Sequence, residues 1–240
     1  MDIASPIMLH STYFKLKEGK NAAVRAAYMA ACREYLSGSK GMMSFWVSEL
    51  AQDMKRPEND RDYDIAMNQV FQNKSMFDLY NGHDPLHEQF VAEVNRWAPG
   101  TTRRVQDAYL DTLRYSADGP SSGTPASSKK GGPPPRLMHS IYFALTDKSG
   151  AAKAQFSEIC LRYLSDHPGI CMFALGGLAD MGRDVSVTNY DVAMSIIWRS
   201  KPFYDGYLKS KDHDAFFPAT KGMIANTYIF DSYIQPDPNA

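Results

Sequence analysis

Hydrophobic and polar residues alternate near the start of the chain and then change to a helical spacing. Side chains at residues 7–16 alternate between an apolar and a mixed face, a period of two that is typical of a β-strand. His10 falls on the more apolar face of this strand. At residues 21–37, apolar side chains from Val24 to Leu36 recur four apart, which predicts an amphipathic helix.

The remaining pattern predicts the same order of elements in both halves of the chain. In the first half, strands are predicted at residues 42–50, 63–71 and 103–113, with a helical region at 74–97 that breaks near Pro85. In the second half, strands are predicted at 170–178, 190–198 and 227–234, with a helical region at 202–222. Ser149 is the predicted N-cap of the helix that precedes them. The order βαββαβ is that of a ferredoxin-like unit.

Two motifs show that the chain contains a duplicated domain. HSTYFKL at residues 10–16 returns as HSIYFAL at 139–145, and YDIAM at 63–67 returns as YDVAM at 190–194. The offset falls slowly, from 129 residues for the first histidine pair to 126 between His87 and His213, so small gaps align the two halves almost end to end. A period of this size indicates two whole domains, not one unit of a solenoid.

The repeat predicts domains at residues 1–115 and 136–240, joined by a linker at 116–135. The linker is dense in Gly, Ser and Pro and carries no aromatic or branched aliphatic residue, so it is predicted to be a solvated tether. Each predicted antiparallel sheet has helices on one face and needs a partner for the other. We therefore expect an α+β fold in which the two repeats close into an intrachain pseudo-dimeric α/β barrel.

Composition excludes several classes of protein. The chain has 26 basic and 27 acidic residues and a net charge of −1, which provides no broad positive field for nucleic acid. No apolar run reaches the roughly 18 residues of a membrane span, and the first residues lack the pattern of a signal peptide, so no membrane association and a cytoplasmic location are expected. Cys32 and Cys160, at equivalent positions, are predicted to be reduced thiols between helix and sheet.

Three motifs carry a resemblance to a known family. They are the strand that begins with histidine, the YD-φ-AM strand, where φ is an aliphatic residue, and the segment YNGHDPLHEQF at 80–90 with its counterpart YLKSKDHDAF at 207–216. Together they resemble the stress-responsive A/B barrel (Dabb) family of the dimeric α/β barrel superfamily. Members usually build the barrel from two chains, so the resemblance implies that a tandem duplication builds it here from one. Further homo-oligomers stay open.

A more distant resemblance implies the site residues. Olivetolic acid cyclase, a plant polyketide cyclase of this superfamily, uses a strand histidine, a helix histidine and tyrosines in a pocket between sheet and helices. The matching residues here are catalytic candidates: His10, His87, Tyr80, His139, His213 and Tyr207. A second tyrosine of the cyclase is absent, because cysteines occupy the aligned positions. The helical stripes add four candidate ligand-binding residues: Tyr28, Cys32, Phe156 and Cys160.

These residues leave three functions open. One is binding of a small hydrophobic molecule without turnover, and another is a purely structural module. The remaining one is a cofactor-independent cyclase, lyase or isomerase that acts on a polyketide-like carbonyl compound. In that case His87 and His213 would abstract a proton next to the carbonyl, while the strand histidines and the tyrosines stabilise the oxyanion. Each of these side chains is also compatible with an ordinary place in the core.

The other motifs predict little chemistry. His83 and His87 have a helical ligand spacing, but Pro85 lies between them and Ser210 replaces His83 in the second repeat, so no metal is expected. No nucleotide, serine-hydrolase or CxxC motif occurs, and no cofactor is expected. The loop DMKR at 53–56 and its counterpart DMGR at 180–183 are predicted to be solvated turns with local ion pairs, and a place at a pocket mouth stays open.

Overall fold

The computed structural model describes residues 6–116 and 134–236, and most of the predicted linker lies outside them. The first repeat consists of β1 (Ile7–Lys15), α1 (Ala22–Leu36), β2 (Met42–Leu50), β3 (Ile65–Phe71), α2 (Lys74–His83), α3 (Pro85–Trp97) and β4 (Thr102–Tyr115). The second consists of β5 (Leu137–Leu145), α4 (Gly150–Leu164), β6 (Ile170–Leu178), β7 (Val192–Trp198), α5 (Lys201–Tyr207), α6 (Lys211–Ala219) and β8 (Ile224–Ile234). In the described ranges no helix is long and apolar enough to cross a membrane.

Polar caps fix where the helices begin. The Ser149 hydroxyl accepts a hydrogen bond from the backbone N–H of Ala152, which confirms the predicted N-cap of α4. The predicted break at Pro85 is also confirmed, with Asp84 capping α3. The second repeat differs from the prediction, because its helical region is also broken, between α5 and α6. Ser210 caps α6 there, so a serine and not a proline starts the second helix.

The eight strands form one closed antiparallel barrel. Its order is β1-β3-β2-β8-β5-β7-β6-β4, and β4 pairs with β1 to close the ring. The last strand of each repeat pairs with the second strand of the other, β4 with β6 and β8 with β2. Inside the barrel, the hydroxyls of Tyr13 and Tyr142 lie 3.0 Å apart. The predicted intrachain pseudo-dimeric barrel is therefore confirmed.

The two junctions between the repeats have different lengths. β2 and β8 share three residue pairs, from Ser48–Ile234 to Leu50–Ser232. β4 and β6 share seven pairs, with a bulge between Leu110 and Thr112. β4 is the longer last strand because it continues to Tyr115, beyond its predicted end at residue 113.

The apolar core has three parts. One fills the barrel, and one lies between sheet and helices in each repeat. Cys32 and Cys160 are fully buried in the two outer clusters and are free thiols, as predicted. The candidate histidines and tyrosines lie around these outer clusters, on the helix-facing side of the barrel wall.

Candidate functional site

Each strand histidine is held by an aspartate of the same repeat. The Nδ1 atom of His10 lies 2.6 Å from Oδ1 of Asp107, and Nδ1 of His139 lies 2.5 Å from Oδ1 of Asp231. The pairs form because the first and last strands of each repeat place these residues directly opposite each other. All four side chains are buried. The sequence prediction missed both aspartates, although they recur at equivalent positions of the last strands.

Each aspartate also binds an arginine from the other repeat. Arg56, in the β2–β3 loop, donates from Nη2 to Oδ2 of Asp231 at 3.1 Å, and Arg183, in the β6–β7 loop, donates to Oδ2 of Asp107. The guanidinium groups also stack over aromatic rings of α5 and α2. The expectation of local ion pairs is therefore wrong, whereas Asp53 and Asp180 are exposed, as expected of solvated turns. A buried carboxylate requires compensating charge, and the barrel brings these loops to it.

Asp231 is stabilised in its ionised form. Burial alone would raise its pKa, but His139, Arg56 and Asn59 together outweigh burial and lower the pKa below its usual value. Asn59 donates to Oδ2 at 2.6 Å, and the Tyr204 hydroxyl donates to the same atom at 3.3 Å. When the His139 ring is neutral, it donates its Nδ1–H to the ionised carboxylate, and Nε2 then carries the lone pair.

The helix histidines are neutral at pH 7. His87 and His213 each occupy the third position of a helix, α3 and α6. Burial, followed by the charge of the strand histidine in the same repeat, lowers the pKa of each to about 4. Their rings contact the predicted tyrosines, with centroids 4.6 Å apart for Tyr80 and His87 and 4.7 Å apart for Tyr207 and His213.

A cavity of about 420 Å³ opens between sheet and helices in the second repeat. Three predicted site residues, His139, His213 and Tyr207, line it together, and Arg56 reaches it from the first repeat. Much of the wall is apolar: Ile141, Phe143, Leu164, Leu208, Phe216, Phe217, Ile224 and Ile229. The Tyr207 hydroxyl has no hydrogen-bond partner in the described part of the chain, and burial raises its pKa. The site residues of this repeat therefore meet around one cavity that is partly open to solvent.

The predicted ligand-binding residues lie deeper than the cavity wall. Phe156 and Cys160 are fully buried in the apolar cluster of the second repeat and are not among the residues that line the cavity. Tyr28 and Cys32 occupy the equivalent positions in the first repeat and are also fully buried. Burial raises the pKa of both thiols and of Tyr28, so all three groups stay protonated at neutral pH.

The two strand histidines differ in the hydrogen bonding of their Nε2 atoms. In the first repeat, Nε2 of His10 lies 3.2 Å from the Thr12 hydroxyl. In the second repeat, Ile141 replaces the threonine, and Nε2 of His139 has no hydrogen-bond partner among the residues that the structure describes. Because His139 lines the cavity, this nitrogen is available to a bound molecule. Within the described ranges, no group of His, Cys, Asp and Glu side chains is arranged to hold a metal ion.

Comparisons with known proteins agree on the fold. Residues 8–107 match the family model described as Stress responsive A/B Barrel Domain. No curated protein matches the chain. Among solved structures, a candidate monooxygenase from Fusobacterium nucleatum is similar over 97% of this chain and 94% of its own, with 10% identity and a TM-score of 0.69. A candidate monooxygenase from Lactobacillus acidophilus is similar over 96% of this chain and 94% of its own, with 14% identity and a TM-score of 0.63. An anthrone oxidase-like protein is similar over 96% of this chain and 92% of its own, with 10% identity and a TM-score of 0.60. At such identities the likeness shows the fold alone.

Proposed function

We propose that the chain belongs to the stress responsive A/B barrel domain family, whose model matches residues 8–107, and that it binds a small hydrophobic carbonyl compound. The ligand occupies the pocket between sheet and helices in each repeat. The observation that carries the proposal is the cavity of the second repeat, where His139, His213 and Tyr207 face one apolar space. Family membership alone supports no particular ligand.

The cavity sets the size and character of the ligand. A volume of about 420 Å³ lies within the range of pockets that hold small organic molecules. The apolar wall favours a hydrocarbon chain or ring through the hydrophobic effect. The Tyr207 hydroxyl and the neutral His213 ring can donate hydrogen bonds to one carbonyl oxygen, because neither group has to lose a charge or a second partner. An aryl alkyl ketone combines these properties.

Binding of 4-butylacetophenone tests the proposal. We expect saturable binding that raises the melting temperature, because a ligand of the native state stabilises it by mass action. Tyr207→Phe removes the hydroxyl that faces the cavity and should weaken binding about tenfold, the effect of one hydrogen bond. The matched control is Tyr163→Phe on α4, a residue outside the cavity wall. Absence of saturable binding, or equal affinity in both variants, would contradict the proposal.

Turnover is a second candidate, favoured by the pair of Asp231 and His139. An ionised carboxylate stabilises the protonated imidazole, so Nε2 of His139 can take a proton from the carbon next to a carbonyl. The enolate oxygen would then accept hydrogen bonds from Tyr207 and His213, and return of the proton to another carbon completes an isomerisation. This geometry favours the strand histidine as the base and reverses the roles expected from the sequence.

Deuterium exchange separates turnover from binding. In D₂O, we expect the protein to accelerate exchange of the acetyl methyl protons of 4-butylacetophenone, as followed by NMR. His139→Gln should abolish the acceleration, whereas His83→Gln, at an exposed position of α2 in the other repeat, should preserve it. An exchange rate equal to that of buffer would exclude the enzymatic candidate on this probe and leave the binding proposal intact. A chain that neither binds nor exchanges would support the structural module.

A further inference from the structure

The walls of the two sites differ next to the strand histidine. In the barrel register, Gln69 of β3 lies opposite His10, whereas Ile196 of β7 lies opposite His139. Strand neighbours directly opposite each other share a face of the sheet. An amide in the first repeat therefore occupies the place that an aliphatic side chain occupies in the second.

Gln69 is buried without hydrogen-bond partners. Its side chain is fully enclosed, and neither the amide nitrogen nor the amide oxygen has a partner at bonding geometry in the described part of the chain. Burial raises the pKa of the nearby Tyr80 hydroxyl, and hydrogen bonding by the Gln69 amide opposes that rise, although the two groups do not meet at good bonding geometry. Because a buried unpaired amide destabilises a fold, its presence beside the strand histidine points to a partner that the chain itself does not provide.

The free hydrogen-bonding groups of the two sites are therefore chemically different. In the first repeat, Asp107 and Thr12 occupy both nitrogens of His10, so the unpaired groups are the N–H₂ and C=O of Gln69. In the second repeat, Nε2 of His139 faces the cavity among aliphatic side chains. Beside its strand histidine the first site presents an adjacent donor and acceptor, whereas the second site has no amide at this place and presents the His139 nitrogen together with Tyr207 and His213.

We propose that the two repeats have diverged in ligand selectivity, with Gln69 selecting a primary amide in the first site and the second site selecting a simple ketone. This proposal rests on the proposed function, because it assumes that both pockets bind ligand. A primary amide pairs with Gln69 through two complementary hydrogen bonds. A ketone leaves the Gln69 oxygen unpaired, and a site built to bond an N–H group discriminates against an analogue that lacks it.

Two isosteric probes and two matched methyl groups test the selectivity. 4-Butylbenzamide and 4-butylacetophenone differ only by an amino group in place of a methyl group. Met67 and Met194 occupy equivalent, buried positions on β3 and β7, so their labelled methyl signals report the two sites separately. We expect the amide to bind about tenfold more tightly than the ketone at the Met67 site, and the preference to be absent or reversed at the Met194 site.

Exchange of the two wall residues provides the control. Gln69→Ile should abolish the amide preference at Met67, and Ile196→Gln should create it at Met194. Gln69→Met, close in shape to the native side chain, repeats the first test if the isoleucine variant folds poorly. Binding of both probes at both sites without preference, or a preference unchanged in Gln69→Ile and Gln69→Met, would overturn the selectivity alone. Failure of both probes to shift either methyl signal would overturn the selectivity together with the proposed function.

Discussion

The charge state of His213 links the cavity to pH. Its pKa of about 4 in the folded protein lies below the value near 6.5 of an unfolded chain, so the unfolded state takes up the proton first as pH falls. The contribution of the neutral ring to the free energy of unfolding is therefore complete above pH 6.5 and is lost between pH 6.5 and 4. At neutral pH the ring is an uncharged donor or acceptor for a bound carbonyl group.

The titration of the His213 ring is a testable prediction at the residue scale. In nitrogen-detected NMR, the His213 ring should titrate with a midpoint near 4. The free energy of unfolding should fall between pH 7 and pH 4.5, and it should fall less in His213→Gln, which removes the titrating ring but not the other ionisable groups. A midpoint near 6.5, or equal losses in both proteins, would show that burial does not perturb the ring.

The unpaired amide of Gln69 gives a second prediction at this scale. Gln69→Met replaces a buried polar group by an apolar one of similar shape, so we expect the free energy of unfolding to rise by about 1 kcal/mol. The reciprocal change, Ile196→Gln, should lower it by about 1–3 kcal/mol, because it buries an amide among aliphatic side chains. Urea denaturation measures both values. Equal losses in the two variants would mean that Gln69 contributes to the fold as it stands.

At the scale of the elements, each of the two long loops carries an arginine that binds a buried aspartate of the other repeat. Arg56 leaves one repeat and neutralises Asp231 of the other, while Arg183 does the same in the opposite direction for Asp107. Each strand histidine is therefore held by an aspartate that also binds an arginine of the neighbouring repeat. A single repeat contains the histidine and the aspartate but lacks the arginine.

Arg56→Met tests this connection. We expect the free energy of unfolding to fall by about 2 kcal/mol, because a hydrogen bond to a buried charged group is lost. The same substitution should have a smaller effect when Asp231 is already Asn, since the carboxylate is then uncharged. Arg61→Met, at an exposed position of the same loop, should change stability by less than about 0.5 kcal/mol. Additive effects of Arg56→Met and Asp231→Asn would contradict a direct interaction.

Local patterns predicted the elements better than the contacts between them. Alternation placed the strand that carries His10, and Pro85 marked one break in the helical regions. The second break was missed because Ser210 caps a helix without the proline that removes a backbone donor. The role of Arg56 was missed because its partner lies 175 positions away, and nothing in the loop specifies that pairing.

At the scale of the whole molecule, the duplication predicted that the barrel closes, but not how many residue pairs each junction between the repeats contains. Two similar units with one bare sheet face each can bury those faces only against each other, and the Tyr13–Tyr142 contact inside the barrel is the result. The repeat gave no reason for junctions of three and seven residue pairs, since equivalent strands should pair equally. The difference arises from the longer β4 and its bulge.

The longer junction depends on a glycine at the bulge. Gly176 on β6 pairs with Leu110, and a Cβ atom at this position would collide with the carbonyl oxygen of Tyr109 and with the Leu110 backbone. Neither of these groups can move without breaking the pairing of β4 with β6. The first repeat has Ser48 at the equivalent position, where β2 makes the shorter junction. The sequence difference therefore coincides with the structural one.

Gly176→Ala should consequently open the barrel at this junction. We expect the free energy of unfolding to fall by about 3 kcal/mol or more. The added methyl group collides with backbone atoms, which cannot turn aside as a flexible side chain could. Gly177→Ala is the control one residue away, where the nearest atom to an added Cβ is the Asp191 carbonyl oxygen at 3.9 Å. That variant should be as stable as the native chain or more stable by about 0.5 kcal/mol, because alanine restricts the unfolded state. Hydrogen exchange should show faster opening of β4 and β6 only in Gly176→Ala. Equal stability of the two variants would mean that barrel closure tolerates separation of these strands.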